Sequence, residues 1–329
     1  MEAFEVNVIN GYQLLAPFDS QNAGFSRWTF GRRNGQEYFL KEFQDVVYPD
    51  ETTLSNSMRQ NRIQECLQFE DQKVRLYHKI NQVSDGNLVR ICELFRCESH
   101  YYLATRRING EKVFPAEIAC LPLQDRLLIC RSAAHALMRL HSAGIVHADI
   151  KQSNVLLQKT VNGKLTAKLI DFDASFFQDS PPEDEEELHF DQTYLTPEGF
   201  RFVCGEPVEL TCKMDVFAMG LLMHEYLAGE LPGFDQDYAL AYEAVLDGKE
   251  LELSPQLPAE IRRILAKMLL CDPEERCSMA EVYRDLGAFF KVEEEKVPEK
   301  KPEVKPEKPD PYQPAQGGMG QHFRVVNDL

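Results

Sequence analysis

From Gly11 to about Arg106, apolar and polar positions alternate in short runs: "YQLLAPF", "FSRWTFG", "EYFLKEF", "LVRICELFRC" and "HYYLATR". Runs of this length, rich in aromatic and β-branched side chains, predict strands with one buried face. One tract interrupts them, Asn61 to Ile80, where apolar positions recur at helical spacing. The first third is therefore predicted to be a small antiparallel sheet carrying one long helix. From about Pro122 the period lengthens. "DRLLICRSAAHALMRLHSAG", "KMDVFAMGLLMHEYLAG", "AEIRRILAKMLL" and "MAEVYRDLGAFF" read as helices, several ending at Gly or running up to Pro. The fold class is α+β in two parts, residues 1–108 rich in strands and residues 109–290 helical, with no internal repeats.

Past Lys291 the pattern breaks down. "EEEKVPEKKPEVKPEKPDPYQP" is charged, Pro-rich and nearly free of large apolar groups, so it cannot bury enough surface to offset its ordering entropy. Residues 291–329 are expected to be a disordered linker ending in "GGMGQHFRVVNDL", which regains Met, Phe and Val. That terminus reads either as a frayed end or as a docking peptide on a tether, with Phe323, Val325 and Val326 as anchors.

Composition narrows the function classes. A chain of 329 residues, 43% hydrophobic, can bury one large core or two ordinary ones. Its formal charge of −17, from 53 acidic and 36 basic side chains, disfavours phosphate backbones and anionic membranes as partners. No stretch is apolar for long enough to span a bilayer, and "MEAFEVNVINGYQLL" lacks a signal peptide's basic start and apolar core, so a cytoplasmic location is expected. The nine cysteines, an odd number without CxxC pairs, suit reduced thiols.

Chemistry concentrates in "VHADIKQSNVLL" and "KLIDFDASFF", separated by "QKTVNGKLTAKL" with an Asn-Gly hairpin signal. Phosphoryl transfer needs a carboxylate near the attacking hydroxyl, a cation at the moving phosphate, and an amide plus a second carboxylate for magnesium. The two segments supply all four.

These motifs resemble those of eukaryotic-like Ser/Thr protein kinases, in the right order from about Tyr12 to Phe290. The resemblance implies a bilobal kinase fold, with residues 1–108 as the nucleotide-binding N-lobe and 109–290 as the C-lobe. It further implies ATP and Mg2+ as cofactors and a protein Ser/Thr hydroxyl as substrate. Asp149 would orient that hydroxyl and accept its proton, Lys151 would neutralise the γ-phosphate, Asn154 and Asp171 would hold the metal, and His147 would be a structural brace. Lys41 in "YFLKEF" would meet the α and β phosphates. Its ion-pair partner on the long helix would be Glu70, with Glu65 as the rival. In the degenerate glycine-rich loop "SQNAGFSRW", Gln21 and Ala23 take the first two glycine positions, followed by Ser26 and Trp28, and only Gly24 lies within the motif as a glycine. "YYLATRRING" would place Thr105 as gatekeeper and the backbones of Arg106 and Ile108 against adenine. "YLTPEG", "KMDVFAMG" and "CDPEERCSMAEV" resemble the peptide-substrate platform, with Asp215 capping backbone donors and Glu198 paired with Arg276.

Three departures matter. Ala148 replaces an Arg that grips a phosphorylated activation loop, which removes that route of switching. Asp173 replaces the glycine of "DFG", either stiffening the segment or adding a carboxylate near the metal. Asp191, the last residue of the acidic "DSPPEDEEELHFD", stands where such kinases usually carry a substrate-facing Thr; the stretch would either favour basic substrates or be a solvated loop. A pseudokinase scaffold, favoured by the degenerate loop and Asp173, is the second hypothesis. A small-molecule phosphotransferase is the third, opposed by the substrate-platform motifs. The arrangement also resembles bacterial kinases associated with tellurite-resistance loci. That likeness would make the tail a contact for a metal-dependent phosphatase or a von Willebrand A-type protein.

Overall fold

"SRWTFGRR" and "HYYLATR" become strands on either side of "QEYFLKEFQDVV" in one sheet; the first exposes Arg27 and Arg32 between buried positions, whereas the second is buried at five successive residues, 101–105. The computed structural model describes residues 7–20, 26–50, 56–110, 113–183, 188 and 190–294. The strands are β1 (Val8–Ile9), β2 (Tyr12–Leu14), β3 (Ser26–Arg33), β4 (Gln36–Val47), β5 (Ile91–Cys97) and β6 (His100–Arg106). They form one six-stranded sheet in the order β1-β2-β3-β4-β6-β5, antiparallel throughout. Helix α1 (Asn56–Val83) lies between β4 and β5 in sequence and extends beyond the predicted Asn61–Ile80 at both ends.

The rest is helical, as predicted: α2 (Pro115–Ala119), α3 (Leu123–His141), α4 (Pro197–Val203), α5 (Lys213–Ala228), α6 (Ala241–Leu246), α7 (Ala259–Met268) and α8 (Met279–Glu294). Two small ladders sit among them, β7 (Ile145–Val146) with β10 (Phe176–Phe177), and β8 (Val155–Lys159) with β9 (Leu165–Leu169). The β8–β9 hairpin turns at Asn162-Gly163, where Gly163 takes φ +75°, a conformation that disfavours side chains.

Helix α5 is buried almost along its whole length and anchors the helical part. One core cluster contains both Phe43, Tyr77 and Tyr101 from the strand-rich part and Leu137, Met219 and Leu265 from the helical part. The two parts are therefore joined by packed side chains. Helix α8 continues to Glu294, four residues into the segment expected to be linker, because its apolar spacing still meets the core at Phe289 and Phe290. The tail from residue 295, the glycine-loop positions Gln21, Ala23 and Gly24, and part of the acidic stretch after Pro182 lie outside the described residues.

Candidate active site

The loop between β7 and β8 carries "HADIKQSN", and most of its polar contacts close within a few residues. Asn154 Nδ2 donates to the Asp149 main-chain oxygen at 2.8 Å and to Asp149 Oδ2 at 2.7 Å. Lys151 Nζ stands 2.9 Å from the same Oδ2. The other carboxylate oxygen, Asp149 Oδ1, is buried with no hydrogen-bond partner among the described residues. A buried acceptor left unpaired is costly, so a donor arriving there would be stabilised. Asp149 also lines a pocket with Ile150, Phe190, Asp191, Tyr194 and Thr196.

The loop's backbone is held from beneath. Asp215 on α5, 1% exposed, accepts from His147 N at 2.7 Å and from Ala148 N at 2.9 Å. His141 Nε2 donates to the same carboxylate at 2.9 Å. Asp215 does cap backbone donors, but those of the 147–154 loop rather than of its own helix. His147 is fully buried. Its Nε2 must donate to the Ile170 carbonyl at 3.2 Å, because a carbonyl can only accept, and this frees Nδ1 to accept from Asp149 N at 3.4 Å. That is the brace expected of it. Ala148 adopts φ +64°, and its methyl packs into an apolar cluster with Val146 and Phe176.

Opposite this loop, Lys41 on β4 reaches the segment after β9. Its Nζ lies 3.0 Å from both oxygens of Asp171 and 2.6 Å from Asp173 Oδ2. Burial would lower the pKa of this ammonium, but the carboxylates of Asp173 and Asp171 outweigh burial and hold it above its usual range. Asp171 takes φ +62°, a strained backbone for a residue with a side chain.

Glu70 does not fill the role expected of it. It is exposed, and so is Glu65, which pairs with Arg62 at 2.8 Å. The stripe of α1 that faces the molecule runs through Cys66, Phe69, Lys73, Tyr77 and Ile80, fixed by Phe69 packing edge-on against Phe43 and Tyr101. Glu70, four residues after Cys66 and seven before Tyr77, falls at the edge of the same stripe, yet it is exposed, and the carboxylates on Lys41 among the described residues are Asp171 and Asp173. At the inward position stands Lys73, whose Nζ donates to the Asp173 main-chain oxygen, and one turn further Tyr77 OH donates to Asp173 Oδ1 at 3.5 Å. Sequence reasoning missed both. The detectable signal was a lysine inside an otherwise apolar i, i+4 stripe.

The other expected residues sit on the sheet side. Ser26 opens β3 opposite Phe43, and Trp28 lies opposite Lys41. Thr105 is buried in β6 between Phe39 and Ile91, Arg106 ends the strand opposite Tyr38, and Ile108 packs on the core. Asp191 caps the short 192–194 turn by accepting from Thr193 N at 3.0 Å, and Tyr194 OH donates to Glu225 at 2.6 Å. Glu198 and Arg276 form the anticipated buried pair, at 2.5 and 2.9 Å.

Among the described residues there is no group of three or more His, Cys, Asp or Glu that could hold a metal by itself. Asn154 and Asp171 offer hard oxygen donors, an incomplete set that suits magnesium, which usually takes one or two carboxylates and completes its shell with phosphate and water.

Sequence comparison with known proteins finds protein kinases. The chain is 30% identical over 185 residues to serine/threonine-protein kinase ULK3 of Xenopus laevis, covering 55% of this chain and 36% of that protein. It is 22% identical to protein kinase kin1 of Schizosaccharomyces pombe, over 84% of this chain and 30% of that protein. It is 26% identical to CBL-interacting serine/threonine-protein kinase 20 of Arabidopsis thaliana, over 70% of this chain and 52% of that protein. The chain thus spans about a third to a half of the length of these relatives. A family model described as "Protein kinase domain" matches residues 54–286, well over half of the chain, and with the loop, helix and ion-pair geometry above it places this chain in the protein kinase family.

Proposed function

We propose that the protein is an ATP- and magnesium-dependent Ser/Thr protein kinase that works without phosphorylation of its activation segment. The unpartnered, buried Oδ1 of Asp149 carries this reading. With Oδ2 occupied by Lys151 and Asn154, Oδ1 is the oxygen left to receive a hydroxyl proton. Asp149 then orients the substrate hydroxyl and takes its proton, while Lys151 offsets the charge that gathers on the phosphoryl oxygens. Lys41 meets the α and β phosphates. Asn154 and Asp171 would hold the magnesium ion, which when bound neutralises phosphate charge and fixes its orientation. The backbones of Arg106 and Ile108 take the adenine edge, with Thr105 behind them and Ser26 at the start of β3 toward the phosphates.

The test is transfer of labelled phosphate from magnesium-ATP to the protein itself or to a basic peptide, with Asp171→Asn expected to abolish it while the melting temperature stays within a few degrees. Absence of transfer with any divalent cation, together with a melting temperature raised by ATP, would favour the scaffold reading.

Independence from phosphorylation rests on Ala148, whose methyl is buried among apolar groups and offers nothing to a phosphate. Phosphatase treatment is expected to change the rate by less than about twofold, since no charge-assisted hydrogen bond would be lost. A large drop traced by mass spectrometry to Thr193 or Tyr194 would refute it.

A further inference from the structure

We propose that Asp173 has taken over from helix α1 the positioning of Lys41, and that Lys73 occupies the helix position from which a carboxylate would otherwise reach it. This rests on the kinase reading of Lys41 and extends it. Lys41 is held by two carboxylates, Asp171 and Asp173. Asp171 is the one a metal ion would require, so Asp173, at 2.6 Å the shorter contact, is the anchor that remains once nucleotide and metal are bound.

The helix side is built to match. Lys73 faces the site, and a second ammonium beside Lys41 would repel it were no carboxylate present. Instead Lys73 donates to the main-chain oxygen of Asp173 and Tyr77 to its Oδ1, while Lys41 takes Oδ2. The Asp173 carboxylate is thereby fixed from both sides, by groups on β4 and α1. The replaced glycine leaves no conformational conflict. Asp171 is among the left-handed non-glycine residues, but Asp173 is not, so a side chain is tolerated there. Helix α1 and the start of the activation segment are consequently coupled through Lys73 and Tyr77. Asp173 is a positioning residue that acts through Lys41.

The experiment compares the full-length protein with Asp173→Ala, Asp173→Glu, Lys73→Glu, and the double variant Lys73→Glu/Asp173→Gly. Readouts are kcat and KM for ATP, melting temperature without nucleotide, and the rate at which an amine-reactive sulfonyl fluoride modifies Lys41 in nucleotide-free protein. Asp173→Ala is expected to raise KM for ATP about tenfold or more and to change the Lys41 modification rate several-fold, the scale set by losing a charge-assisted hydrogen bond. Asp173→Glu should recover part of the loss. Lys73→Glu alone should be impaired, because Asp173 then meets a like charge, and the double variant should return to within about threefold of the native kcat/KM by rebuilding a helix carboxylate opposite Lys41. If Asp173→Ala leaves KM and Lys41 reactivity unchanged, or lowers only the melting temperature, or if the double variant is no better than Lys73→Glu, the proposal is wrong. Lys41→Met separates the two levels. Full activity in that variant would overturn the underlying role of Lys41, whereas its loss beside an unaffected Asp173→Ala overturns only the positioning role of Asp173.

Discussion

Asp149→Asn is expected to lower phosphate transfer by about 10²–10⁴-fold, the contribution typical of a positioned general base, with nucleotide affinity nearly unchanged. The substitution is close to isosteric. It keeps an oxygen for Asn154 and leaves in place the clamp of Asp215 on the loop backbone, so the fold has no reason to yield. What disappears is the buried carboxylate oxygen Oδ1, which has no partner among the described residues. Single-turnover transfer to a basic peptide, measured with the melting temperature and ATP affinity of the same preparation, separates loss of chemistry from loss of structure. Transfer within about tenfold of the native rate would remove Asp149 from the role of proton acceptor.

The second large effect is on stability. Glu198→Ala should cost about 3–5 kcal/mol, because it strands a cation deep in the protein. The Arg276 side chain is fully buried, and all five of its N–H groups are engaged: two with Glu198, and the others with the main-chain oxygens of Leu270, Cys271 and Lys213. The guanidinium also lies 4.9 Å from the Phe217 ring centroid. It thus ties the segment before α8 to the starts of α4 and α5, directly behind the catalytic loop. A loss of that size corresponds to a fall in melting temperature on the order of 10 °C for a domain of this length. Replacing both members by methionine should cost less than Glu198→Ala, since no buried charge is then left alone. A single-variant shift below about 2 °C would mean that the pair carries little of the stability.

These two expectations differ in how much of their basis the sequence contained. The grouping of Asp149, Lys151 and Asn154 was legible because they lie within six residues, so local geometry alone brings them together. The β8–β9 hairpin was legible for the same reason, from its Asn-Gly turn. The Glu198–Arg276 pair, 78 residues apart, could be anticipated only through family resemblance.

The partner of Lys41 belongs to a different class. Helix α1 spans 28 residues and offers Glu65, Glu70 and Asp71 as well as Lys73, each step turning the side chain by about 100°. Nothing local says which residue faces inward. Packing of Phe69 between Phe43 and Tyr101 sets the rotation, which puts Lys73 at the middle of the inward stripe and leaves Glu70 at its exposed edge. Asp171 and Asp173 then meet Lys41 across about 130 residues of chain, and Asp215 meets the catalytic loop across 67 and 68. The sequence by itself determined the order of elements, the short-range catalytic loop and the kinds of charged group available. The tertiary structure decided which charges pair, because ion pairing between distant elements depends on helix rotation and strand register, and these are fixed by the packing of the whole core.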